Sequence, residues 1–200
     1  ILDRTIRGGL GKGHLGVIMA PAGVGKSACL VQIGLDALLR GKLVLHVASG
    51  QSVEHVSARY DALFDELAER VDLADRRGVR ESVARRRLIW SSLDRAFCPR
   101  GLDEALAAFQ AQLQFAPSAI LVDGFDWEEP AATATVGAVK ATAARIGAEL
   151  WMTAREARGE EQDDRLRDRQ AEWRQEELAI DPIPAAARLE DRHVQLVLEG

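Results

Sequence analysis

The 200-residue chain carries little from which a disulfide or metal framework could be built. It has two cysteines, Cys29 and Cys98. Without motif spacing they read as reduced, structural thiols of a cytoplasmic protein. The histidines at 14, 46, 55 and 193 are scattered at no zinc-ligand spacing, so no zinc or nucleophile chemistry is assigned to them. No apolar run is long enough to span a bilayer and no signal peptide precedes the first apolar stretch, so no membrane partner is expected. Positive charge is also in short supply. A net charge of −5 argues against a general binder of phosphate backbones, which makes DNA a less favoured partner. The chain opens on Ile1 rather than Met, as an excised domain or trimmed product would.

What remains is ordinary globular material, 47% hydrophobic and 28% charged, enough for one α/β domain over residues 1–200. Short apolar runs read as strands at 15–20, 42–48, 87–92, 118–123 and 148–153. Between them, helical spacing covers 28–40, 52–70, 102–115 and 131–146. Arg76, Arg77 and Arg80, with Arg85 to Arg87, read as a solvated helical face leading into a strand; an anionic partner is the other reading. Residues 156–177 are dense in mixed charge, an exposed helix or a mobile loop, ended by Pro182 and Pro184. Residues 187–189 and 192–198 then look like a terminal β-hairpin. Strands alternating with helices imply a mostly parallel sheet covered on both faces, a three-layer α/β fold.

One stretch stands out: Ala20-Pro21-Ala22-Gly23-Val24-Gly25-Lys26-Ser27-Ala28, between the first strand and the first helix. This is the context of a phosphate-binding loop, or P-loop. Gly23 and Gly25 permit the backbone angles that turn successive N–H groups inward around an anion. The helix start adds its unpaired N–H groups and positive dipole end. Lys26 would reach the β- and γ-phosphates, and the Ser27 hydroxyl would ligate Mg²⁺. Ala20 stands where the first glycine of the pattern is usually written. It closes the strand and touches no phosphate, so alanine should serve. The fourth strand ends in Asp123 after a run of apolar residues, the Walker-B form that holds Mg²⁺ directly or through water. Asp126, Glu128 and Glu129 just beyond are further candidates or an ordinary acidic loop. Thr153, at the end of the fifth strand, is a candidate sensor of the γ-phosphate, and Arg155 a weaker one.

The text from Gly8 to Ser27, followed by a helix and then Gly41-Lys-Leu-Val-Leu-His-Val47, resembles the RecA-type ATPases of the KaiC, RadA and DnaB branch. The resemblance is close over the first third of the chain and architectural beyond it. It implies a RecA-like P-loop fold, ATP and Mg²⁺ as cofactors, and a homo-oligomer or other protein partner. Two departures temper the expected activity. In that family the second strand ends in glutamates that activate the attacking water; here Gly50 and Gln51 stand in their place. Glutamine can orient water but cannot accept a proton, which leaves Glu54, Glu128 or Glu129 as substitutes. The family's activating Lys and Arg, given to a neighbouring subunit, are also missing from the final Val197-Leu198-Glu199-Gly200. Arg188 and Arg192 are stand-ins or plain turn residues.

The expected function is therefore Mg·ATP binding with weak or partner-dependent hydrolysis, or a nucleotide-sensing assembly module. The alternative is a small-molecule P-loop kinase of the nucleoside monophosphate type. It rests on Asp123-Gly124-Phe125 and on an arginine-rich stretch at 158–169 that is shaped like a lid.

Overall fold

A computed structural model describes residues 10–92, 99–155 and 195–198. Its elements alternate as the apolar runs do. β1 (Leu15–Ala20) leads to α1 (Lys26–Leu39), β2 (Val44–Ser49) to α2 (Val53–Arg70) and α3 (Arg76–Arg86), and β3 (Arg87–Ser92) to α4 (Pro99–Leu113). β4 (Ala119–Asp123), α5 (Ala132–Ile146), β5 (Glu149–Arg155) and β6 (Gln195–Leu198) complete the series. The strands form one sheet in the order β3-β2-β4-β5-β1-β6. β1 to β5 are mutually parallel, and β6 lies antiparallel to β1.

Parallel strands covered on both faces read as continuous apolar runs, and all of Ala119-Ile-Leu-Val-Asp123 is buried. Side chains alternate between faces along each strand, which divides the core in two. Leu45, Val47, Ile120, Val122, Leu150 and Met152 face α4 and α5, meeting Leu102, Leu106, Val136 and Val139. On the other face Val44, Ala48, Leu121 and Trp151 meet Leu30, Leu35 and Leu38 of α1, Tyr60 and Phe64 of α2, and Val83 of α3. Each large aliphatic residue so enclosed contributes about 1.5–3 kcal/mol. Trp151 lies across Gly16 so closely that a Cβ there would stand 2.5 Å from the indole ring.

Local chemistry sets the helix ends. Ser52 caps α2, its hydroxyl accepting from the His55 amide at 3.2 Å, and Asp75 caps α3 by accepting from Gly78 N–H at 2.9 Å. Gly147 ends α5 in the left-handed conformation. The arginine-rich stretch forms α3 and runs straight into β3, a helical face leading into a strand. The helix expected to reach Phe115 stops at Leu113 instead. Gln114 turns to φ 52°, and the Phe115 amide folds back onto the Phe109 carbonyl at 3.1 Å. Of the expected terminal hairpin, one strand is seen, paired with β1; its other arm at 187–189 lies outside the described residues. So do Gly8, Gly9, Cys98, the 156–178 segment, Arg188, Arg192 and His193. Among the described residues, no helix is long and apolar enough to cross a membrane.

This winding decides where a ligand can sit. β2 is followed by α2 on one face of the sheet and β4 by α5 on the other. The connections leaving these neighbouring strands therefore diverge. In open α/β sheets such a divergence opens a crevice at the carboxyl ends of the strands.

Candidate functional site

The loop from Pro21 to Gly25 leaves the carboxyl end of β1 and enters α1 at Lys26. Gly23 and Gly25 have φ of 84° and 97°, and Gly25 caps the helix in the left-handed conformation. Among the described residues, a Cβ added at either would meet nothing within 4 Å, so the need for glycine there is conformational. The Cys29 amide bonds the Gly25 carbonyl at 2.9 Å. Amides in the first turn of a helix point out of its N-terminal end, the condition that lets a helix start hold an anion. Lys26 Nζ lies 2.7 Å from the Ala20 carbonyl oxygen and 2.9 Å from that of Pro21, so its charge rests at the base of the loop.

Asp123 ends β4 with only 3% of its surface exposed. Three neutral donors converge on it. Gln51 Nε2 donates to Oδ2 at 2.9 Å, Thr153 Oγ1 donates to Oδ1 at 2.8 Å, and the Ser27 hydroxyl stands near enough to add to their effect. Burial alone would push this carboxyl up. The hydrogen bonds from Gln51 and Thr153, with Ser27 beside them, outweigh it and hold the group below its ordinary value, a carboxylate at neutral pH. Ser27 and Asp123 thus bring the start of the first helix close to the end of the fourth strand.

The order of the sheet explains the meeting. β5 lies between β1 and β4, which puts Thr153 between the loop and the acid. Its hydroxyl also accepts from the Gly124 amide at 3.3 Å, and its carbonyl receives Trp127 Nε1–H at 2.8 Å. β2 flanks β4 on the other side with Ala48 opposite Asp123. The chain then turns at Gly50, whose amide bonds the Ser92 carbonyl at 2.8 Å, and delivers Gln51 over the acid.

The remaining candidates separate. Glu54 is fully exposed; its carboxylate is engaged by its own backbone amide and by Ser52 at the start of α2, which lowers its pKa. Asp126 accepts from the Glu128 amide at 3.0 Å in a local turn, and neither it nor Glu128 touches Asp123 in any bond described. Arg155 pairs in register with Ala20, which puts its backbone beside the loop. The kinase reading's lid at 158–169 lies outside the described residues.

Two groups near the acid escape a reading of the sequence. Arg59, in the second turn of α2, donates from Nη1 to Gln51 Oε1 at 2.8 Å and stands 3.9 Å from Asp123 Oδ2. The only available signal was its place eight residues after Gln51, two helical turns along. His46 lies beneath the site, fully enclosed, with Nδ1 3.0 Å from the Tyr60 hydroxyl and no partner for Nε2. Burial drives its pKa down to about 4; Asp123 opposes this, while Arg87 and Arg59 add to it. An apolar strand offers no hint that one of its members will be a neutral imidazole beside an acid.

Among the described residues, no three of His, Cys, Asp and Glu come together as a metal cluster. One hydroxyl and one carboxylate close together are instead the kind of sparse protein donor set that Mg²⁺ uses when phosphates and waters supply the rest. No family model matches the chain, and no curated protein matches it.

Proposed function

We propose that the chain is a RecA-like P-loop domain that binds ATP with Mg²⁺ and turns it over weakly or only with a partner. One observation carries the reading: Ser27, at the start of α1, stands near enough to the buried carboxylate of Asp123, at the end of β4, to help hold its pKa down. Residues 96 positions apart are thereby brought together beside a glycine-turned helix start. A phosphate-binding loop without an acid, or an acid without such a loop, would fit many roles. The two close together fit a triphosphate and its metal.

In this reading the amides of residues 22–28 grip the phosphates, with Pro21 shaping the turn and Lys26 placing its charge on the β- and γ-groups. Ser27 and Asp123 would hold Mg²⁺, which supplies charge neutralisation on the phosphates when bound. Gln51 bears on turnover. Both ends of its amide are engaged, the nitrogen by Asp123 and the oxygen by Arg59. It has no proton-accepting capacity, so a strong general base is absent among the groups that contact the acid. Thr153, hydrogen-bonded to Asp123, stands where a change at the terminal phosphate would reach β5. A second copy or another protein would complete the site if turnover is substantial. The reading points to a cytoplasmic nucleotide-dependent assembly module at least as much as to a motor.

Titration with ATP, ADP and GTP, with and without Mg²⁺, tests it. Lys26→Ala should abolish nucleotide affinity, and Ser27→Ala should abolish its Mg²⁺ dependence. Both variants binding Mg·ATP like the parent would overturn the assignment. Phosphate release by the isolated chain, compared with that in the presence of candidate partners, separates a motor from a sensor.

A further inference from the structure

Gln51 and Arg59 form a strut on the Asp123 carboxylate. The Gln51 amide donates to Oδ2 at 2.9 Å, Arg59 Nη1 holds the other end of that amide at 2.8 Å, and the guanidinium itself comes within 3.9 Å of the same oxygen. The Asp123 side chain is 5% exposed and that of Arg59 38%, so the cation reaches the acid from the solvent side of the crevice. A guanidinium keeps its charge at any pH at which the protein is folded.

That charge acts with opposite sign on the two things the site would bind. A divalent cation between Ser27 and Asp123 meets a carboxylate with the Arg59 guanidinium already 3.9 Å away, and must share Oδ2 with the Gln51 amide. A triphosphate meets one more positive charge beside Lys26. We propose that Arg59 is a built-in counter-charge, acting on Asp123 through Gln51, that raises affinity for metal-free nucleotide and lowers affinity for the metal. This inference rests on the nucleotide reading and extends it. Arg59 supplies from within the chain part of the charge that a divalent ion would otherwise provide. It is a positioning residue as well, since its Nη1 holds the Gln51 oxygen.

The test is a titration of fluorescently labelled ATP in EDTA and over a Mg²⁺ series, using the parent, Arg59→Gln, Arg59→Met and Arg59→Lys. Removing the charge should weaken metal-free ATP binding by about fivefold, while the Mg²⁺ concentration giving half of the metal's effect falls by a similar factor. Arg59→Lys should stay close to the parent on both measures, because the charge remains. A merely structural role would weaken both together, and that outcome, or no change in either, overturns the inference. Arg59→Met keeps the aliphatic stem and gives the same readout should Arg59→Gln fail to fold. Lys26→Ala in the same titration separates the two claims. Binding lost in Lys26→Ala with the metal balance unmoved in Arg59→Gln sinks the counter-charge alone. A parent that binds no nucleotide under either condition sinks both.

Discussion

Gly124, the residue after the acid, is where the fold should be least tolerant of a methyl group. It has φ of 78°, and a Cβ built there would lie 2.6 Å from the Ser49 carbonyl oxygen and 3.4 Å from Ser49 Cβ. Two costs add in Gly124→Ala. A side chain in the left-handed region costs about 1–2 kcal/mol. The contact with Ser49 is roughly an ångström shorter than a comfortable non-bonded separation. The obstructing atom is main chain at the last residue of β2, so no rotamer change relieves it; overpacking of this kind costs about 1–3 kcal/mol. The expected loss is about 3 kcal/mol in urea unfolding, or roughly 6–12 °C in Tm for a chain of this size. Relief requires the end of β2 to move, and Gly50 and Gln51 follow directly from it. The Mg²⁺ response of nucleotide binding should therefore weaken under conditions where the variant is still folded. A Gly124→Ala protein within about 0.5 kcal/mol of the parent would refute the reasoning.

Two further perturbations probe the core beneath the site. Gly34 in α1 faces the Tyr60 hydroxyl and Leu121, and a Cβ there would lie 2.3 Å from the first and 2.6 Å from the second. Gly34→Ala should lose about 1–2 kcal/mol in urea unfolding, where an open helical site would gain about 1 kcal/mol; a stabilised variant contradicts the packing. His46 has a folded pKa of about 4, below its ordinary 6.5, chiefly through burial. The unfolded chain thus takes up the proton first, so the contribution is intact above pH 6.5 and is lost as pH falls toward 4, reaching up to about 3 kcal/mol. His46→Gln should flatten that window in acid-dependent unfolding, and a parent no more pH-sensitive than the variant would rule the effect out.

The α/β alternation is legible in the chain because strands and helices announce themselves within ten or so residues. A run such as Ala119 to Val122, apolar on both faces, has few other structural meanings. Ser52 and Asp75 mark helix starts through bonds made three residues away. The order of the strands is not local in this way. Nothing in residues 149–155 says that they will lie between β1 and β4, because that placement is decided by how the helices pack on two faces of the sheet. The helix end at Leu113 was misread for a related reason. Phe115 keeps the apolar spacing, but Gln114 takes a left-handed turn and carries the phenyl ring into the core by another route.

The same division runs through the site. The strand-to-helix turn at 20–28 is legible because its residues are contiguous, and Asp123 because it closes an apolar run. The Gln51 contact is not local, since it joins residues 72 positions apart and depends on Ala48 standing opposite Asp123. That contact decides what a glutamate would do at position 51. A glutamate at position 51 would set a second carboxylate about 3 Å from Asp123, where like charges drive one of the pair to hold a proton. Glutamine instead donates to Asp123 and accepts from Arg59, satisfying both with one neutral group. Position 51 is thus one member of a set whose charges cancel without a base. Under the proposed nucleotide reading, such a set is suited to holding a ligand in place, whereas fast turnover would need at least one of its members to take up a proton.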